Sequence, residues 1–134
     1  MSYLIDTDVI IDFLKNQNSA YFLFEKIATD NLMISIITWV EVEYGIKKSP
    51  NPEKRKAEFM EMLDSFSIKI APIDSHEASE FVKLKIELEK KKFPLADFDL
   101  FIAATAVING LTLVTSNTKH FSRISKLKLF SSFK

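Results

Sequence analysis

The chain has 134 residues, no cysteine, and 18 basic against 18 acidic residues. This is the length of one ordinary domain, which can bury a hydrophobic core without disulfide bonds. The lack of cysteine excludes disulfides, cysteine–zinc sites and a cysteine nucleophile. The net charge of zero gives no sign of the strong basic character typical of nucleic-acid-binding proteins. We expect one domain over residues 1–134.

The N-terminal segment and the overall hydropathy pattern indicate a cytoplasmic protein. Only three apolar residues, at positions 3–5, precede Asp6, and this run is too short for the core of a signal peptide. No apolar run is long enough to cross a bilayer. We therefore expect no membrane partner.

Short apolar segments alternate with segments of helical periodicity along the chain. In chain order the predicted elements are strand 3–5, helix 7–14, helix 20–29, strand 32–34, helix 35–47, helix 53–65, strand 68–70, helix 75–91, helix 97–109, strand 111–115 and strand 127–130. We expect Thr7 or Asp8 to cap helix 7–14, and we expect Gly110 to end helix 97–109. Short apolar strands that alternate with helices predict an α/β fold, with a mostly parallel sheet of four to five strands covered on both faces.

Polar residues follow three of the predicted strands. Sites in an open parallel sheet form at the carboxyl ends of its strands. The candidates there are Asp6, Thr7 and Asp8 after strand one, Ser35, Thr38 and Glu41 after strand two, and Thr115, Ser116 and Asn117 after strand four. Two further acids, Asp97 and Asp99, stand at the start of the helix that leads to strand four.

Helix geometry separates Glu41 from Glu43. Helix positions two apart differ by roughly 200° around the axis, whereas positions three or four apart share a face. Glu41 therefore lies on the side of Thr38 and Gly45, and Glu43 points away. We expect Gly45 to allow close packing beside the Glu41 face. Apolar neighbours around Glu41 favour a functional residue over a solvated surface charge.

The two aspartates that begin the helix 97–109 have different interpretations. Asp97 can be a helix cap, and its role is left open. Asp99 lies in a segment that is apolar almost all round. Burying an unpaired carboxylate costs several kcal/mol, so we expect a cation near Asp99.

Asp6 ends an apolar strand, and Thr7 or Asp8 offers a better helix cap, so we interpret Asp6 as functional. Asp8 is either a cap or a ligand, and Asp12 is expected at the surface. Carboxylates that converge without histidine or cysteine select a hard cation such as Mg²⁺ or Mn²⁺. Such an ion activates water and neutralises charge on a phosphoryl oxygen, so the pattern indicates phosphodiester or phosphate chemistry.

Segments 4–10, 34–45, 99–104 and 110–117, followed by His120-Phe121, together resemble the PIN-domain ribonucleases. Within them the chain is most similar to the VapC-type toxins of toxin–antitoxin pairs. The resemblance covers essentially the whole chain, and the order and spacing of the segments are specific. It implies a three-layer α/β/α PIN fold, Mg²⁺- or Mn²⁺-dependent RNA cleavage, a homodimer, and inhibition by a cognate VapB-like antitoxin.

The resemblance also implies roles for individual residues. It places the family's first acid on Asp6, its helix glutamate on Glu41 and its third acid on Asp99. The fourth polar position falls on Asn117, where many relatives carry aspartate, and this argues against a strict two-metal mechanism. Many relatives have glycine two or three residues before the third acid, whereas this chain has Leu95, Ala96 and Asp97 there. The resemblance therefore implies no role for Asp97.

We hypothesise that Asp6 and Asp99 hold the ion and that Glu41 binds it directly or through water. The ion and the carboxylates then activate a water for attack on an RNA phosphodiester. Possible secondary site residues are Asp97, Asp8, Thr7, Thr38, Thr115 and Ser116. The candidates for RNA contact are Lys119, Arg123 and Lys126, while His120 is interpreted as a structural or RNA-contacting residue rather than a catalytic base.

Two other functions are open at this point. Asp6 and Asp8 after a strand also resemble the nucleophile and acid of haloacid-dehalogenase-like phosphatases. Alternatively, Asn117 marks a degraded PIN module that binds RNA or antitoxin without catalysis. A homodimer is also suggested by apolar residues on two helices, and these are Tyr21, Phe22, Phe24, Phe59, Met60 and Met62.

Overall fold

A five-stranded sheet lies at the centre of the computed structural model, which describes residues 1–130. The strands are β1 (Ser2–Ile5), β2 (Asn31–Ser35), β3 (Lys69–Ala71), β4 (Thr112–Val114) and β5 (Lys128–Leu129). Their order is β3-β2-β1-β4-β5, and every neighbouring pair is parallel. The predicted α/β fold is confirmed, with five strands.

Within residues 1–130, seven helices connect or flank these strands. They are α1 (Thr7–Leu14), α2 (Asn18–Ile27), α3 (Ile36–Lys47), α4 (Pro52–Ser65), α5 (Ser75–Lys90), α6 (Asp97–Asn109) and α7 (Thr118–Phe121). The sequence pattern did not predict α7, because four residues are too few to show helical periodicity. Within the described residues, no helix combines the length and the apolar character needed to cross a membrane.

The two faces of the sheet bury two separate hydrophobic clusters. Along β1, Tyr3 and Ile5 face one cluster and Leu4 faces the other, because successive side chains of a strand point to opposite faces. The first cluster is completed by residues of α1 to α4, such as Phe24 and Phe59. The second is completed mainly by α5, α6 and α7. The sheet is therefore covered on both faces, which gives the three-layer architecture.

Half of the apolar residues expected to form a dimer surface belong to this core. Phe24, Phe59 and Met62 are at most 3% exposed, and they pack in the first cluster. The exposed members of the set are Tyr21, Phe22 and Met60. Core packing thus explains three of these six residues and leaves the other three at the surface.

The two glycines of the chain occupy different backbone conformations. Gly110 follows α6 in the left-handed conformation, with φ of 64°, as expected for a residue that ends a helix. Gly45 lies inside α3, where a Cβ atom would meet no other atom within 4 Å. The expected close packing at Gly45 is therefore wrong, since the backbone there borders open space.

Alanine substitutions at these glycines should have opposite effects on stability. Gly45→Ala should raise the free energy of unfolding by about 0.5–1 kcal/mol, because alanine favours helix and meets no clash. Gly110→Ala should lower it by about 1 kcal/mol, because alanine disfavours positive φ. Urea denaturation of both variants measures this, and a stabilising Gly110→Ala would contradict the assigned conformation.

Candidate active site

The carboxyl ends of β1, β2 and β4 lie side by side in the middle of the sheet. Asp6 directly follows β1, Ser35 ends β2, and Thr115 directly follows β4. The backbone N–H of Asp6 donates to the carbonyl of Val114 at 2.8 Å, and this hydrogen bond joins the ends of β1 and β4. The polar residues of all three segments therefore meet at one edge, as expected for an open parallel sheet.

The Asp6 side chain is buried at this edge and caps α1. Its Oδ1 accepts from the backbone N–H of Thr7 at 2.9 Å, and its Oδ2 accepts from the Thr115 hydroxyl at 2.7 Å. The expectation that Thr7 or Asp8 would cap α1 is therefore wrong. Asp6 thus caps α1 with one oxygen, and its other oxygen is held by Thr115, which lies 109 positions away in sequence.

Thr7 connects Asp6 to Glu41. Its hydroxyl donates to Oε1 of Glu41 at 2.6 Å and lies 3.0 Å from the hydroxyl of Thr38. Thr38 is fully buried, so it fixes the Thr7 side chain from the α3 side. Glu43 instead accepts from Nζ of Lys56 at 2.5 Å. Glu41 and Glu43 therefore lie on different sides of α3, as helix geometry predicts, and Glu41 is the one that contacts Thr7.

Ser35 begins this arrangement on β2. Its side chain accepts a hydrogen bond from the backbone N–H of Ile37 and caps α3. The cap starts the helix immediately at the carboxyl end of the strand. Thr38 in the first turn and Glu41 one turn further are thereby directed back toward α1.

Asp8 lies in the first turn of α1 and contacts the end of the β4 segment. Its Oδ2 accepts a hydrogen bond from the hydroxyl of Ser116. Its Oδ1 is buried and has no hydrogen-bond partner among the described residues. Because Asp6 already fills the capping position, Asp8 is not the cap that the sequence allowed.

Asp99 is half-buried in the first turn of α6, and Asp97 points elsewhere. Burial raises the pKa of Asp99, His120 opposes this shift, and Asp8 adds to it. Both His120 and Asp8 therefore lie near Asp99. Asp97 is exposed and accepts from Nζ of Lys85 at 2.9 Å. The N-cap of α6 is Ala96, without a side-chain hydrogen bond, so Asp97 is neither the cap nor a neighbour joined to the acidic group.

The segment after β4 contributes hydroxyl groups and one amide. The backbone N–H of Asn117 donates to Oγ1 of Thr115 at 3.0 Å, and this hydroxyl in turn donates to Asp6. Asn117 precedes α7 and gives it no side-chain cap. Thr115 and Ser116 thus contact the acids directly, while Asn117 is connected to them through its backbone N–H.

The three basic residues considered for RNA contact have different surroundings. Arg123 donates to the carbonyl of Pro94 at 3.3 Å, and Lys119 is exposed at the start of α7. Lys126 forms an ion pair with Glu80 at 2.8 Å, and this hydrogen bond raises the pKa of Lys126. Lys126 also precedes β5 and so stands at the amino edge of the sheet, opposite the acids.

Electrostatics of the acidic residues favour a bound cation. Burial, followed by the charge of Asp8, raises the pKa of Asp6 to about 7. None of the described lysines and arginines forms an ion pair with Asp6, Asp8 or Asp99. Hydrogen bonds from Thr7 and Thr115 only partly offset the cost of burying this charge.

The donor atoms fit a hard divalent ion that keeps part of its water shell. The atoms that the acidic residues offer to a metal are all carboxylate oxygens. One of them, Oδ1 of Asp8, is buried and accepts no hydrogen bond from a donor group of the described residues. No three acidic or histidine side chains of residues 1–130 are grouped closely enough to be three ready-made ligands. Mg²⁺ is usually held by one or two carboxylates and several waters, which matches this arrangement.

The raised pKa of Asp6 should make the metal-free protein less stable as pH rises. Between the ordinary value of 3.8 and about 7, the folded protein binds a proton that the unfolded chain has released. The free energy of unfolding therefore falls as pH increases through this window. Asp6→Asn should flatten part of the fall, and urea denaturation in the presence of a chelator measures it. Equal pH slopes for the two proteins would contradict the raised pKa.

Comparisons with known proteins agree with this geometry. Residues 3–127 match the family model described as PIN domain. Ribonuclease VapC2 of Rickettsia felis is 35% identical over 133 residues, which cover 96% of each chain. The tRNA(fMet)-specific endonuclease VapC of Shigella flexneri is 28% identical over 130 residues, again 96% of each chain.

A solved structure gives the same result at the level of the fold. The structure of VapBC2 from Rickettsia felis, bound to a DNA fragment from its promoter, contains a chain with a TM-score of 0.88 and 31% identity. The match covers 97% of this chain and 98% of that chain. The family also removes the phosphatase alternative, whose chemistry belongs to a different fold. The chain belongs to the PIN domain family.

Proposed function

We propose that this chain is a divalent-metal-dependent endoribonuclease and the toxin of a type II toxin–antitoxin pair. The observation that carries the proposal is the buried Asp6 carboxylate at the carboxyl edge of a PIN-family sheet, which is linked through Thr7 to Glu41 and is ion-paired to no described basic side chain. The names of the similar proteins, ribonuclease and endonuclease, support the reaction class.

Asp6 and Asp99 are the proposed holders of the ion, which is Mg²⁺ or Mn²⁺. A bound ion of this kind would activate a water and neutralise charge on a phosphodiester oxygen. Thr7 and Thr115 hold both carboxylate oxygens of Asp6, so its orientation is fixed before any ligand arrives. Asp99 approaches from α6, on the other side of β1, and is half-buried.

Glu41 is the third catalytic residue in this proposal. Oε1 accepts from Thr7, which keeps the carboxylate next to Asp6. At that place Glu41 would hold the ion directly or through a water. Asn117 carries no charge, so it serves as an orienting amide at the fourth corner rather than as an anionic ligand.

RNA needs cations beside an acidic site, because its phosphates are repelled by carboxylates. Lys119 and Arg123 are the proposed contacts, since Lys119 is exposed in α7 and Arg123 borders Pro94 just before α6. Lys126 is set apart by its ion pair with Glu80 at the opposite edge of the sheet. His120, near Asp99, is a further candidate for contact with the RNA backbone.

The proposed protein partner is a cognate VapB-like antitoxin. Solved structures of VapBC assemblies from Rickettsia felis, Salmonella typhimurium and Haemophilus influenzae contain chains that share this fold, with TM-scores of 0.86 to 0.88. Homodimerisation stays a prediction as well. Its candidate surface is reduced to the exposed residues Tyr21, Phe22 and Met60.

Loss of Asp6 should abolish RNA cleavage without loss of the fold. Induced expression of the wild type should arrest growth and produce discrete new RNA ends, whereas Asp6→Asn should produce neither, because its side chain brings no charge to the ion. Mapping of RNA 5′ ends measures this and distinguishes tRNA, rRNA and mRNA targets. Identical new ends from a soluble, folded Asp6→Asn variant would contradict the proposal.

The two glutamates of α3 provide a matched test of the site. Glu41→Gln should reduce the cleavage rate by about 100-fold or more, which is the effect expected when a group acting on the reacting atoms is removed. Glu43→Gln removes the same charge from the same helix but only disrupts the contact with Lys56. Purified variants are compared on total RNA with Mn²⁺ present. Similar losses in both would refute the assignment of Glu41.

A further inference from the structure

Asp8 is the acidic residue next to the site for which the proposed reaction provides no role. It lies one residue beyond Thr7 on α1, two residues after the buried Asp6. The sequence left two interpretations open, a helix cap or a ligand. The structure removes the first, because the side chain of Asp6 occupies the capping position and accepts from Thr7.

One oxygen of Asp8 is held by the segment that follows β4. The hydroxyl of Ser116 donates to Oδ2 of Asp8, although the two residues are 108 positions apart in sequence. Ser116 directly precedes Asn117, the neutral residue at the fourth corner of the site. Asp8 therefore brings a negative charge to the same segment in which Asn117 lacks one.

The other oxygen of Asp8 has an environment suited to a cation. Oδ1 is buried and accepts no hydrogen bond from a donor group of the described residues, while the carboxyl group of Asp8 also contacts that of Asp6 and raises its pKa. A buried carboxylate oxygen that accepts no hydrogen bond carries an uncompensated desolvation cost unless another group offsets it. An ion shared with neighbouring acids provides that compensation, and a water alone would leave the negative charge unbalanced.

Asp8 also acts on both aspartates proposed to hold the ion. Its negative charge raises the pKa of Asp6 and the pKa of Asp99. Asp6 and Asp8 contribute from α1, and Asp99 contributes from α6. The charge of Asp8 thus links the three carboxylates electrostatically, although no three acidic side chains of the described residues stand at ligand spacing.

We propose that Asp8 is a direct ligand of the divalent cation and supplies the carboxylate that Asn117 does not. The inference rests on the proposed metal-dependent function. Ser116 is then a positioning residue, since it fixes Oδ2 and leaves Oδ1 for the ion. The fourth charge of the site comes from the helix after β1 instead of the segment after β4.

Calorimetric titration of Mn²⁺ into the full metal-free chain tests this role. Asp8→Asn should raise the Kd for Mn²⁺ by about tenfold or more, since even outer-sphere partners of a metal change its affinity by 10–100-fold. Asp12→Asn is the matched control, because it removes an equal charge one turn further along α1, and it should change the Kd by less than about threefold. Moving the carboxylate, in the double variant Asp8→Asn with Asn117→Asp, should restore most of the affinity.

Thermal unfolding without metal separates ligation from a structural role. Asp8→Asn should melt at or above the wild-type temperature, because it relieves repulsion with Asp6, and it should show a smaller upward shift on addition of Mn²⁺. Unchanged Mn²⁺ affinity in Asp8→Asn, alongside lost affinity in Asp6→Asn, would overturn this inference and leave the proposed function intact. A wild type that binds no divalent ion would instead overturn the proposed function. Failure of the double variant to recover affinity would contradict the replacement of Asn117 by Asp8.

Discussion

The two hydrogen bonds to the Asp6 carboxylate are the interaction on which the site depends. One comes from the backbone N–H of Thr7 at the start of α1, and the other from the hydroxyl of Thr115 after β4. They fix a carboxylate that is only 5% exposed at the end of the central strand. Burial still raises its pKa to about 7, so the carboxylate is oriented but its charge is not balanced. The proposed cation would satisfy both conditions.

Thr7 extends this constraint from Asp6 to the rest of the site. Its backbone is fixed by the cap, and its side chain donates to Glu41 while Thr38 packs behind it. The position of Glu41 therefore depends on the start of α1 as well as on α3. Parallel strands make this possible, because β1, β2 and β4 end at the same edge and their helices start there.

Local patterns predict the sheet and the side of α3 on which Glu41 lies, and long-range contacts account for what they miss. Helix geometry alone distinguished Glu41 from Glu43, and the structure bears this out with separate partners for each. The expectation that Thr7 or Asp8 caps α1 is wrong, because Asp6 accepts from the backbone N–H of Thr7 with one oxygen while Thr115, remote in sequence, holds the other. Likewise, nothing near Lys126 in sequence reveals its ion pair with Glu80, which only the packing of the chain brings about.

Anomalous diffraction from a crystal of the wild-type chain soaked in Mn²⁺ tests the central claim most directly, because it locates the ion independently of activity. The account predicts a manganese peak at the carboxyl edge of the sheet, within direct coordination distance of Asp6 or Asp99 and surrounded by waters. A peak only at an unrelated surface, or no peak beside Asp6 and Asp99 in a crystal with an open site, would contradict it.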